Sequence, residues 1–132
     1  RGVLTPIEDL YRPYAVLDNG ASIIIEETAA LTAIDVNRGG ARGSKLNINI
    51  STAKEIMRQI RLRNLSGIIM IDFLKMANDA ERKELTQAMK KFAADDPYTV
   101  QIHGLTKLGL MEVSRARRTP PLSEKLDSAI NL

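Results

Sequence analysis

The chain has 132 residues, 44% of them apolar and 27% charged, with a net charge of +3, which is typical of one ordinary globular domain. It has no cysteine and one histidine, so disulfide bonds, thiolate zinc sites and multi-histidine metal sites are excluded. Any metal chemistry must therefore use carboxylates, which suit magnesium, manganese or calcium. No apolar run reaches the roughly 20 residues of a membrane-spanning helix, so no membrane association is expected.

The first part of the chain predicts a lead-in followed by two strands. Residues 1–20 are expected to form a short helix or irregular segment that ends at the Asn19-Gly20 turn. Residues 22–26 and 31–37 are rich in β-branched side chains and are predicted strands. The turn can pair the first strand with a segment upstream, and the two strands can also form a hairpin.

A glycine-rich loop and a helix come next. Residues 38–44 contain three glycines and two arginines but match no known phosphate-binding glycine motif. The loop is either a flexible linker or an approach surface for RNA or phosphate, with Arg38 and Arg42 as its cations. Thr52 and Glu55 have the spacing of a helix-initiating capping box, and Asn64 and Gly67 are typical of a helix end.

The second half of the chain predicts one more helix and three strands. Residues 67–74 would place apolar side chains on both faces of an extended strand, which favours a central strand covered by helices on both sides. A helix is predicted from the N-cap Asn78 and the capping-box residue Glu81. Strands are predicted at 98–103 and 108–113.

The predicted order is β-β-α-β-α-β-β, an α/β fold with a mixed sheet of about five strands and two main helices. Residues 21–118 are expected to form this subdomain, and residues 119–132 a C-terminal tail.

Charge is distributed unevenly along the chain. Residues 1–37 have a net charge of −4, whereas residues 38–63 carry seven basic residues and one acidic residue. Such a local excess favours an anionic partner such as phosphate, although a solvated helix face would have the same pattern. The candidate RNA-binding residues are Arg38, Arg42, Lys45, Arg58 and Arg61.

Two aspartates occupy equivalent positions in the predicted sheet. Asp35 and Asp72 each close an apolar strand segment. If the two strands are parallel and adjacent, both carboxylates emerge at one edge, about 5 Å apart, and a divalent cation between them relieves their repulsion. Asn37 follows Asp35 by two positions and lies on the same face. The alternative is that each aspartate is a turn or N-cap residue.

Two further polar residues fall in predicted strands. Glu112 lies in an apolar segment and is expected to form a structural ion pair with Arg115 or Arg117. His103 is expected to be an ordinary strand-end residue, the alternative being a general acid or a phosphate ligand.

Three segments in order, residues 30–37, 58–73 and 109–115, resemble the ribonuclease E/G family. The resemblance implies the family's deoxyribonuclease-I-like catalytic subdomain. It also implies that Asp35 and Asp72 bind the catalytic magnesium ion, for which manganese can substitute. Asn37 matches the family's active-site asparagine.

The implied reaction is endonucleolytic hydrolysis of single-stranded RNA to 5′-phosphate and 3′-hydroxyl ends, in RNA processing or decay in the bacterial cytoplasm. The family's zinc-link cysteines are absent, so no zinc is expected and any homo-oligomer would form without that link. The chain begins Arg1-Gly2-Val3 and is expected to be a fragment of a longer protein whose OB-fold RNA-binding module lies elsewhere. The alternative is a non-catalytic RNA-binding or assembly domain that keeps the same fold.

Overall fold

The computed structural model describes residues 7–117. Among these residues, a short 3₁₀ helix, Ile7–Tyr11, precedes six strands and two α-helices. The strands are β1 Tyr14–Val16, β2 Ser22–Glu27, β3 Thr32–Asn37, β4 Gly67–Asp72, β5 Val100–Leu105 and β6 Met111–Arg115, and the helices are α1 Lys45–Arg63 and α2 Asp79–Ala93.

The strands form one mixed sheet in the order β1-β2-β3-β4-β6-β5. The central strands β3 and β4 are parallel and are connected by α1, whereas every other neighbouring pair is antiparallel. The predicted α/β fold with a mixed sheet and two main helices is confirmed. The end of β3 and the end of β4 therefore lie at the same edge, here called the carboxyl edge.

Within the described part of the chain the sheet has six strands and not five, because residues 14–16 of the expected lead-in form β1. This strand pairs with β2 across the Asn19-Gly20 turn, in which Gly20 has a φ of +95°. Arg63, near the end of α1, donates hydrogen bonds to the carbonyl oxygens of Arg12 and Tyr14 and so ties the β1 segment to α1. Burial lowers the pKa of Arg63 from its ordinary value. The predicted subdomain boundaries stay a prediction, and the tail 119–132 lies outside the described residues.

Helix α1 begins earlier than the capping-box pattern predicts. Its N-cap is Ser44, whose side chain accepts a hydrogen bond from the backbone N–H of Asn47 at 3.1 Å. Thr52 lies within the helix, is fully buried, and donates its hydroxyl to the carbonyl oxygen of Ile48 at 2.7 Å. The interpretation of Thr52 as a helix start was wrong, because its hydroxyl bonds to the preceding turn of an existing helix.

The other helix boundaries agree with their signals. Asn64 ends α1 in the left-handed conformation, with a φ of +54°. Asn78 begins α2, and its side-chain oxygen accepts a hydrogen bond from the N–H of Glu81 at 2.9 Å. No helix within residues 7–117 combines the length and apolar character that crossing a membrane requires.

Both helices cover the same face of the sheet. Buried side chains of the strands, such as Ile34 and Ile71, form one cluster with Ile56 of α1 and Met89 of α2. The expectation that helices cover β4 on both sides was wrong. Its outward residues Ile68 and Met70 are apolar but lie on the open face, where Ile68 retains 48% exposure. An apolar strand indicates burial only on the face that another element covers.

A buried ion pair joins the ends of several elements. Arg115 of β6 forms two hydrogen bonds with Asp96, at 2.9 and 3.0 Å, and their side chains are 1% and 0% exposed. Arg115 also donates to the carbonyl oxygen of Leu65 and to the side chain of Asn64. The expected partnership of Arg115 with Glu112 was wrong, because Glu112 lies exposed on the open face while Arg115 is directed into the core.

Candidate active site

Asp35 and Asp72 are direct neighbours in the sheet. They form the last register pair between the parallel strands β3 and β4. Side chains at paired positions project from the same face, and neighbouring strands are about 4.8 Å apart. Both aspartates project from the open face, since the alternate residues of their strands are buried beneath the helices. The condition on which the predicted carboxylate pair depended, parallel and adjacent strands, is therefore met.

The pair remains accessible to solvent. Asp35 is exposed, and the side chain of Asp72 is 49% exposed. Asn37 lies two positions beyond Asp35 on the same face and is also exposed. Its amide oxygen is the kind of ligand that hard divalent ions accept, and its NH₂ group is a donor for a phosphate oxygen.

The donor set fits magnesium. Two carboxylates at this spacing repel each other unless a cation or a proton lies between them. Oxygen ligands on an open surface leave room for the waters that magnesium retains. Residues 7–117 contain no group of three or more His, Asp or Glu side chains placed to enclose an ion. The site therefore rests on two carboxylates, with Asn37 beside them.

A lysine that the sequence reasoning missed lies beside the pair. The Nζ atom of Lys75 is 4.0 Å from Oδ1 of Asp72 and donates a hydrogen bond to the carbonyl oxygen of Leu108 at 3.2 Å. Leu108 belongs to the turn between β5 and β6, which adjoins the carboxyl edge because Met111 pairs with Ile71. The only local signal was the position of Lys75 three residues after Asp72.

Three of the predicted RNA-binding cations lie near the carboxyl edge. Arg38, Arg42 and Lys45 belong to the connection from β3 into the start of α1. Arg42 and Lys45 are exposed. Arg38 is occupied within the loop, since its guanidinium donates to the carbonyl oxygens of Ala41 and Gly43 at 3.2 and 2.8 Å. It therefore braces the loop that carries Arg42.

The other two predicted cations are remote from the aspartates. Arg58 and Arg61 lie 13 and 16 residues beyond Lys45 on α1, which corresponds to roughly 20 and 24 Å along the helix axis. They also belong to the helical layer, on the opposite side of the sheet from Asp35. Arg58 forms an ion pair with Glu55 at 3.0 Å. The structure does not bring these two cations to the carboxylate pair.

The remaining polar candidates lie on the open face. Glu112 is opposite Met70 of β4 and Gly104 of β5. His103 is exposed and shares a hydrogen bond of 2.9 Å between its Nε2 atom and Oγ of Ser114. His103 thus has a partner that its sequence context did not indicate.

Fold and site together define a class of protein. It is an α/β domain in which a parallel strand pair presents two accessible carboxylates at its carboxyl edge, the position where open α/β sheets bind ligands.

Comparison with known proteins gives the family. The model of the Ribonuclease E/G family matches residues 2–118. Ribonuclease E of Haemophilus influenzae is 39% identical over 124 residues, which are 89% of this chain and 13% of that protein. Ribonuclease E of Escherichia coli is 38% identical over 124 residues, 89% of this chain and 12% of that protein. Ribonuclease G of Haemophilus influenzae is 35% identical over 131 residues, 95% of this chain and 27% of that protein.

The chain belongs to the ribonuclease E/G family, as its three sequence segments indicated. It spans about an eighth of the ribonuclease E proteins of Haemophilus influenzae and Escherichia coli.

Proposed function

We propose that this chain is the catalytic core of a magnesium-dependent endoribonuclease that hydrolyses single-stranded RNA in RNA processing or decay. The observation that carries the proposal is the register pairing of Asp35 with Asp72 on the open face of the sheet. Membership of the ribonuclease E/G family supports RNA as the substrate. Manganese is the expected substitute for magnesium, since both favour oxygen ligands, and the site needs no zinc.

The proposed roles follow from the side chains. Asp35 and Asp72 hold the ion, and Asn37 orients the Asp35 carboxylate or donates to a phosphate oxygen. Magnesium bound there would lower the pKa of water and offset negative charge on the phosphate. The water gives up one proton as its oxygen bonds to phosphorus, the bond between phosphorus and O3′ breaks, and the departing O3′ takes up a proton. The products carry a 5′-phosphate and a 3′-hydroxyl.

The proposed RNA contacts divide into two groups. Arg42 and Lys45 lie at the carboxyl edge and would bind phosphates next to the cleavage site, with Arg38 bracing their loop. Arg58 and Arg61 would contact RNA only along the helical layer, remote from cleavage. Substitution in the first group should therefore affect cleavage and binding, whereas substitution in the second should affect binding alone.

Isosteric substitution of the aspartates tests the proposal. Asp35→Asn and Asp72→Asn should each lower RNA cleavage by at least about a hundredfold, because stabilisation by a metal ion is worth several kcal/mol. The matched control is Asp95→Asn, an exposed aspartate in the loop before β5, at the opposite end of the sheet. Cleavage of a 5′-labelled RNA is followed on gels, and magnesium binding by titration calorimetry. Equal cleavage by all three variants would refute the proposal.

The open face supports a second candidate, a non-catalytic RNA-binding or assembly domain. Ile24 and Ile68 remain exposed there, at 37% and 48%. In that case the OB-fold RNA-binding module of the full-length protein, or another copy associating without zinc, would be the partner. Metal-independent RNA binding with no heat of magnesium binding would identify this candidate. For either function we propose a cytoplasmic protein, since RNA processing takes place there in bacteria.

A further inference from the structure

Lys75 is a cation that the fold holds in place beside Asp72. The residues on either side of it are anchored in the core: Asn49, which is fully buried, donates to the carbonyl oxygen of Leu74 at 2.8 Å and accepts from its N–H at 3.0 Å. Met76 is buried as well. Since positions 74 and 76 are fixed, the backbone of Lys75 has little freedom, and its side chain lies outward with 69% exposure.

The neighbouring turn limits the side chain further. A hydrogen bond of 2.9 Å from the N–H of Gly109 to the carbonyl oxygen of Thr106 closes the turn at residues 106–109. Gly109 has a φ of +87°, and a Cβ atom there would lie 3.1 Å from Nζ of Lys75. The ammonium group is thus held between the turn and Asp72.

This ammonium group keeps donors available. Of its three N–H groups, one bonds to the carbonyl oxygen of Leu108, and the contact to Asp72 is long, at 4.0 Å. No other partner of Lys75 occurs within residues 7–117. The Nζ atom lies 4.0 Å from Oδ1 of Asp72, so N–H groups remain available for an anion beside that carboxylate.

We propose that Lys75 binds a phosphate oxygen of the RNA seated at Asp35 and Asp72. This inference rests on the proposed function and adds a substrate-binding residue to it. Lysine acts on phosphate as a point charge, and its N–H groups can reach an anion close to Asp72 without any movement of the backbone. The same charge competes with a metal cation for the Asp72 carboxylate, so Lys75 strengthens RNA binding and weakens metal binding.

The test uses the salt dependence of binding, which counts phosphate contacts. Each contact on single strands contributes about 0.7 to the slope of log Kd against log salt concentration. Lys75→Met should lower that slope by about 0.7, and Lys75→Arg should retain it. The matched control, Lys91→Met, removes an exposed lysine near the end of α2 and should leave the slope unchanged. The probe is a fluorescent single-stranded decamer, with calcium in place of magnesium and anisotropy as the readout.

Titration with magnesium supplies a second measurement, the affinity for the ion, which would not change if Lys75 had only a structural role. Lys75→Met should bind magnesium more tightly than the unsubstituted chain, and Lys91→Met should not. An unchanged slope for Lys75→Met, in a chain that binds magnesium and cleaves RNA, would overturn this inference and leave the proposed function standing. If the unsubstituted chain binds neither RNA nor magnesium, both fail together.

Discussion

Removal of one partner from the buried pair of Arg115 and Asp96 should destabilise the chain strongly. In Asp96→Asn the carboxylate charge is lost, while the guanidinium remains 1% exposed with one half of its bidentate contact weakened. Breaking a buried pair on one side costs about 3–5 kcal/mol, because an uncompensated charge is left in the core. The remaining bonds of Arg115 to Leu65 and Asn64 place the loss towards the lower end of that range, at about 3 kcal/mol.

Urea unfolding followed by circular dichroism measures this loss. The exposed pair of Arg82 and Asp79 provides the control, since Asp79→Asn removes the same charge where water replaces it. It should lower the free energy of unfolding far less than Asp96→Asn does, because only an exposed charge in the first turn of α2 is lost. The double variant Asp96→Asn with Arg115→Met should be less destabilised than the sum of the single variants, because the unpaired charge disappears. A loss below about 1 kcal/mol for Asp96→Asn would refute the assignment of this pair as a structural anchor.

Two further substitutions test the loops that frame the carboxyl edge. Gly39→Ala should lower the free energy of unfolding by at least about 1–2 kcal/mol, because φ is +54° and the added Cβ would lie 2.4 Å from the carbonyl oxygen of Gly20. The control Gly40→Ala has open space around the added Cβ and should be tolerated. Equal melting temperatures for the two variants would contradict this explanation. Asn49→Ala should cost about 1–3 kcal/mol by leaving the backbone of Leu74 unpaired. Faster hydrogen exchange at the Leu74 amide is the measurement, and unchanged protection there would contradict the role of Asn49 as its anchor.

Local patterns predicted most of the elements and some of their ends. Asn64 ends α1 and Asn78 begins α2, as the sequence predicted. These ends were predictable because a helix cap depends only on one residue and the backbone a few residues away. The same reasoning was wrong for Thr52, since a hydroxyl near a helix can bond forward as a cap or back to the preceding turn. The residue that begins α1 is Ser44, a typical N-cap residue that lies seven positions after Asn37.

The candidate site was predictable in part. Asp35 and Asp72 were singled out by their positions after apolar segments, on condition that the two strands lie parallel and adjacent. Lys75 was missed because its environment depends on Leu108, 33 residues further along the chain. The ion pair expected between Glu112 and Arg115 was wrong for the same reason: Arg115 is close in sequence, but its partner Asp96 comes from the loop after α2.

By itself the sequence determined the α/β class, the two aspartates and, within residues 7–117, five of the six strands and both helices, because periodicity and capping are local properties of the chain. Only the tertiary structure decided that both helices cover one face, so that β4 exposes Ile68 and Asp72 on the other. It also decided that Arg42 shares an edge with the aspartates while Arg58 does not. The physical reason is that pairing and coverage depend on contacts between distant segments, which no local pattern encodes.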